Sequence, residues 1–148
     1  MDVVATVEVP VTCERLFSFV SDLANYGSWL EMVHSVNRLE DDRNSNNPGW
    51  LVELRARLGP FARSKRLRMV RTVYDAPNVV VFERIEQDSR RHSQWILRAS
   101  ISETSNGSSL ETNLHYSGAL FTGGLLERAL SDQIERGRER LMELLTST

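Results

Sequence analysis

The sequence predicts an α+β fold: a curved antiparallel sheet of about seven strands, two short helices after the first strand, and one long C-terminal helix. Three observations carry this. Segments rich in β-branched and aromatic residues alternate apolar and polar positions between clusters of turn formers. Helical periodicity is confined to a short stretch after the first strand and a long stretch at the end. Most strands are apolar on one face only, so the sheet has one dry face, and only the last helix is long enough to cover it.

Residues 2–9 hold Val3, Val4, Thr6, Val7 and Val9 and read as a strand, with Val3, Ala5, Val7 and Val9 on its apolar face. Pro10 stops it. Thr12 suits the N-cap of a helix over about 13–21, whose Leu16, Phe17 and Val20 recur at helical spacing. A second helical turn covers Leu23 to Tyr26, broken by Asn25-Tyr26-Gly27-Ser28-Trp29. Val33 to Glu40 is a strand, ended by a loop from Asp41 to Gly49 built of turn formers. Trp50 to Leu58 puts Trp50, Val52, Leu54, Ala56 and Leu58 on one face, and Leu51, Glu53, Arg55 and Arg57 on the other. Gly59-Pro60 reverses the chain into a long strand, Phe61 to Tyr74. Asp75-Ala76-Pro77-Asn78 ends that strand, and Val79 to Glu86 is the next. His92 to Glu103 presents Trp95, Leu97, Ala99 and Ile101 on one face. Asn106-Gly107 is a hairpin signal, leading to a last strand with Leu110, Thr112, Leu114 and Tyr116 on its apolar face. From about Gly124 to Leu145 the pattern turns helical: Leu126, Leu130, Ile134, Gly137, Leu141 and Leu144 share a stripe, and paired charges cover the rest.

The bulk numbers narrow the function classes. A length of 148 residues fits one domain, 1–148, able to bury a core and keep a cavity. A formal net charge of -2 gives no global drive toward nucleic acid, and none is expected as a partner. Cys13 is the only cysteine, so no internal disulfide forms. Met1-Asp2-Val3-Val4 lacks the basic region and apolar core of a signal peptide, and no apolar run approaches a membrane span. A cytoplasmic protein, monomer or homodimer, is expected. His34, His92, His115 and Cys13 lack metal-ligand spacing, and no phosphate loop, dinucleotide fingerprint or G-x-S-x-G elbow occurs. No metal and no cofactor are therefore expected.

Several phrases carry a resemblance. Val7-Glu8-Val9-Pro10 before Leu16-Phe17, Asp22-Leu23-Ala24-Asn25-Tyr26 before Trp29, Tyr74-Asp75-Ala76-Pro77, and Gly118-Ala119-Leu120-Phe121 leading into the long helix resemble the START-like (SRPBCC) superfamily. The similarity is to its polyketide cyclase/dehydrase and lipid-transport branch and spans nearly the whole chain. It implies the helix-grip fold, with a cavity between sheet and C-terminal helix. The function it implies is binding of an apolar small molecule (a lipid, a polyketide or similar). Two alternatives stand beside it: a polyketide cyclase/dehydrase-type enzyme, and a protein-interaction or toxin–antitoxin-like module with little or no ligand binding. Fold alone does not choose among them.

Candidate cavity residues are Trp29, Leu54, Phe82, Trp95, Leu97, Leu114, Phe121, Leu130, Ile134 and Gly137. Among them Trp29 and Trp95 offer apolar area with one polar handle each. Gly137 costs about 1 kcal/mol relative to alanine inside a helix. It leaves either room for a ligand or a close contact with a bulky residue such as Trp95. A basic run from Arg55 to Arg71 (Arg55, Arg57, Arg63, Lys65, Arg66, Arg68, Arg71) has no acidic interruption. Alternation gives two faces, one with Arg63, Lys65, Leu67, Met69 and Arg71, the other with Ala62, Ser64, Arg66, Arg68 and Val70. Either the run is a solvated convex surface, or one or two cations enter the dry face and need a partner there. The resemblance to aromatase/cyclases implies a catalytic set of Arg68 (or Arg66) and Arg84 beside Trp95. Arginine would stabilise an enolate, and Tyr116 or Tyr26 would relay a proton.

Overall fold

Turn formers separate the described residues into ten elements. The computed structural model describes residues 2–40, 47–58, 60–117 and 125–147. Its elements are β1 (Asp2–Val9), α1 (Cys13–Val20), a 3-10 helix (Leu23–Ser28), β2 (Val33–Arg38), β3 (Gly49–Leu58), β4 (Phe61–Asp75), β5 (Val79–Arg84), β6 (Trp95–Thr104), β7 (Gly107–Tyr116) and α2 (Leu125–Thr146). Residues 41–46 of the expected loop, Gly59 of the reversal, and 118–124, which include the candidate Phe121, lie outside the described residues.

The seven strands form one antiparallel sheet in the order β1-β7-β6-β5-β4-β3-β2. From β2 onward each strand pairs with the next, and the last, β7, returns to pair with β1. Curled around its helices, this is the helix-grip architecture. The Thr12 hydroxyl accepts from the Arg15 N–H at 3.1 Å and starts α1, and the Asp22 carboxylate accepts from the Ala24 N–H at 3.0 Å and starts the 3-10 helix. Gly107 takes φ +153 in the β6–β7 hairpin, where a Cβ would strike the Val9 carbonyl and the Pro10 backbone.

Two strands change face part-way, which simple alternation does not foresee. The β2–β3 register shifts between Val33 and Ser35, so Val33 and Val36, three apart, face the same way. In β4, Arg71 pairs with Phe82 but Val73 pairs with Val81, leaving Thr72 as an extra residue. Upstream of it Leu67 and Met69 face the helices. Downstream Tyr74 does, meeting Phe17 of α1 with ring centroids 5.2 Å apart.

The expected strand ends near residues 86 and 92 are corrected. β5 stops at Arg84 and β6 starts at Trp95. Between them Ile85 and Gln94 still share backbone bonds with neighbouring segments, and side-chain bonds hold much of the rest. Arg84 donates to Glu86 Oε1 at 3.0 Å and to the Ser93 carbonyl at 3.2 Å, and His92 Nε2 lies 2.6 Å from Asp88 Oδ1.

Candidate functional site

The dry face is filled at one end and open at the other. Between the sheet and α2 lies a cavity of about 100 Å³. β3 and β4 supply Val52, Leu54, Leu67 and Met69 to its wall, and β6 and β7 supply Trp95, Leu97 and Leu114. Leu130 and Ile134 descend from α2, and the segment around the 3-10 helix adds Tyr26, Trp29, Leu30 and Met32. Two polar handles at the wall are engaged locally: the Thr112 hydroxyl donates to the Ala5 carbonyl at 3.4 Å and the Tyr26 hydroxyl to the Val20 carbonyl at 2.9 Å. Burial pushes the Tyr26 pKa up, so this phenol stays a fixed donor rather than a proton relay. An apolar cavity of about 150 Å³ binds benzene. At about 100 Å³ this space is somewhat smaller than that.

Of the expected lining residues, Trp29, Leu54, Trp95, Leu97, Leu114, Leu130 and Ile134 face the cavity. Phe82 does not. It is fully buried behind the wall, edge-on to Trp50 at 5.5 Å and to Tyr26 at 6.2 Å. Gly137 is also corrected. A Cβ there would fall inside the Trp29 carbonyl oxygen and lie 3.2 Å from the indole ring, so the glycine seats α2 on the Trp29 backbone and does not line the cavity. Next to it, Gln133 Oε1 accepts from the Met32 N–H at 2.6 Å, a second tie between α2 and the same segment. Wall residues that sequence reasoning missed include Val33, Val36, Leu67, Met69, Leu30 and Met32. Leu67 and Met69 alternate in register with Val52 and Trp50, a signal present in the sequence; Val33 and Val36 depend on the bulge.

The three residues expected to act together do not converge on the cavity. Arg68 leaves β4 on the face opposite Leu67 and Met69, and its guanidinium donates to the Ile85 carbonyl at 2.7 Å on the convex side. Arg66 shares that face. Arg84 lies on the concave side, opposite Met69, with its side chain only 8% exposed. Its donors are taken by Glu86, by the Ser93 carbonyl and hydroxyl, and by His92 Nδ1 at 3.3 Å. Tyr116 packs on Trp95 with centroids 5.5 Å apart and donates to Glu127 Oε1 at 3.0 Å, bridging β7 to the first turn of α2. Burial, then the bond to Glu127 and its charge, push the Tyr116 pKa up to about 12. On β4 the cations that alternate onto the cavity's face are Arg63, Lys65 and Arg71. Arg71 donates to the Ser21 carbonyl at 2.9 Å and stacks over Tyr74 at 4.2 Å.

Buried polar atoms that find no hydrogen-bond partner among the described residues include Trp29 Nε1, beside the cavity, and Glu127 Oε2. A buried donor left unsatisfied costs about 1–3 kcal/mol. Among the described residues, no group of three or more His, Cys, Asp or Glu side chains gathers to hold a metal ion. No described helix is long and apolar enough to cross a membrane.

Comparison with known proteins agrees with this architecture. A START superfamily protein from Mycobacterium smegmatis is similar at 17% identity and a TM-score of 0.68, over 97% of this chain and 96% of that one. TTHA0849 from Thermus thermophilus is similar at 19% identity and a TM-score of 0.64, over 98% and 92%. The di-domain ARO/CYC StfQ from the steffimycin biosynthetic pathway is similar at 13% identity and a TM-score of 0.61, over 97% of this chain and 49% of that one. Identities this low speak for the fold. No curated protein matches the chain. The family profile for polyketide cyclase / dehydrase and lipid transport matches residues 1–146, and a sheet curled around one long helix is what that match leads one to find. On the strength of that near-complete match, the chain belongs to the polyketide cyclase / dehydrase and lipid transport family.

Proposed function

We propose that the protein binds a small apolar molecule, or the apolar part of a larger one, in the cavity between the sheet and α2. The cavity wall carries the reading: it is built almost wholly from apolar side chains, on six strands, the 3-10 segment and α2. Transfer of apolar area into such a space is favourable at about 25 cal/mol per Å². The unsatisfied Trp29 N–H adds a donor that a ligand oxygen would satisfy. Membership of a cyclase and lipid-transport family and the START likeness support ligand binding in general. A cyclase-type reaction draws on the likeness to StfQ, but Arg68 faces away and Arg84 is saturated by its own neighbours. Binding is the reading the geometry favours.

Native mass spectrometry of freshly purified protein, followed by titration with apolar compounds, tests it. A co-purified apolar species, or saturable binding that Leu97→Trp abolishes by filling the cavity, is the expected result. Failure of every apolar compound to bind the folded protein overturns the reading.

A further inference from the structure

Lys65 is the only lysine in the chain. It leaves β4 on the cavity's face of the sheet, two residues before Leu67 and opposite Leu54, both of which line the wall. Its side chain is half-buried. The other cations on this face are engaged: Arg38 lies over the Trp50 ring, Arg63 has a partner of its own, Arg71 meets Ser21 and Tyr74, and Arg84 meets Glu86, Ser93 and His92. Lys65 has no hydrogen-bond or ion-pair partner among the described residues.

The carboxylate closest in effect to Lys65 is already engaged. Glu86 Oε1 accepts from Arg84 Nε at 3.0 Å and from the Arg68 backbone N–H at 3.0 Å. Burial, reinforced by the Arg84 charge and only partly offset by Glu86, lowers the Lys65 pKa. A partly desolvated cation whose nearby carboxylate is already committed to Arg84 is costly, and the same placement makes it receptive to an anion. A single ammonium matches a singly charged carboxylate better than a dianionic phosphate.

We propose that Lys65 receives the anionic end of the ligand, so that the molecule held is an amphipathic acid: a hydrocarbon body in the cavity and a carboxylate at its Lys65 edge. This rests on the cavity-binding reading above and adds the ligand's polar end to it. Trp29 and Trp95 line the same space, so their fluorescence reports occupancy.

The test titrates the full chain with octanoate and with n-octanol, in the unaltered protein, Lys65→Gln and Lys65→Arg. The quantity read is the ratio of the two affinities. It is expected to fall roughly tenfold in Lys65→Gln, equivalent to about 1.4 kcal/mol, and to hold in Lys65→Arg. Octanol affinity, which does not use the charge, is expected to stay level and shows that each variant is folded. If octanol binds but the ratio is the same in Lys65→Gln, the inference fails and the cavity reading survives. If the ratio falls equally in Lys65→Arg, charge is not what Lys65 contributes and the inference fails. If neither compound binds the unaltered protein, both readings fail together.

Discussion

The two ends of the concave face share one sheet and are closed in different ways. At the α1 end, Leu16 and Val20 of the helix and Val80 and Ala99 of the sheet are fully buried, and Phe17 meets Tyr74. None of these residues lines the cavity. At the α2 end the helix rests on another segment's backbone: Gly137 sits on the Trp29 carbonyl, and Gln133 holds the Met32 N–H. Side chains that interdigitate with a sheet consume the space beneath them. A helix propped on a backbone strut keeps its height, and the space below remains. The cavity is therefore a property of what holds α2 up, as much as of what lines it.

Truncation probes this contrast most strongly. Leu16→Ala at the solid end is expected to cost about 2–5 kcal/mol in urea unfolding, since the hole it leaves has rigid walls. Leu130→Ala, at the wall of an existing void, is expected to cost less than Leu16→Ala. Equal costs would mean that the α2 end is packed as tightly as the other.

The strut itself comes next. Gly137→Ala gains about 1 kcal/mol of helix propensity, yet its methyl must displace the Trp29 carbonyl. The expected net result is a loss of about 1–3 kcal/mol, with a shift in Trp29 fluorescence as the helix lifts. A rise in Tm would show that α2 does not bear on Trp29.

The mildest test adds one methylene to each end. Val52→Ile points into the cavity and is expected to stabilise by about 0.8 kcal/mol. Val20→Ile enters a filled core and is expected to destabilise by about 1 kcal/mol. Changes of the same sign in thermal unfolding would erase the distinction between the two ends.

Much of the architecture is legible without the structure. β1, α1 and α2 fall where β-branched runs, a Thr cap and the leucine stripe place them. The inward faces of β3, β6 and β7 follow from alternation alone, which is why Leu54, Trp95, Leu97 and Leu114 can be identified as wall residues. What escapes has a common cause. A bulge is one residue long and has no composition, so the shared face of Val33 and Val36 is invisible in the sequence. The partner of Gly137 is a backbone carbonyl distant in sequence, and no periodicity points to a carbonyl. Alternation divides the basic run into two sets without naming the inner one; only pairing with Leu54 and Trp50 puts Lys65 and Met69 inside and Arg68 outside.

The extra residue at Thr72 gives β4 two parities. Before it, odd-numbered positions look toward the cavity; after it, even-numbered Tyr74 looks toward α1. One strand thus serves two compartments, and the joint between them is a matter of chain length rather than side-chain identity. Arg71 reaches across the joint, stacking over Tyr74. Loss of a single codon at the joint would turn one whole set of side chains inside out. A deletion of one residue here changes more side-chain positions than any single substitution in the core.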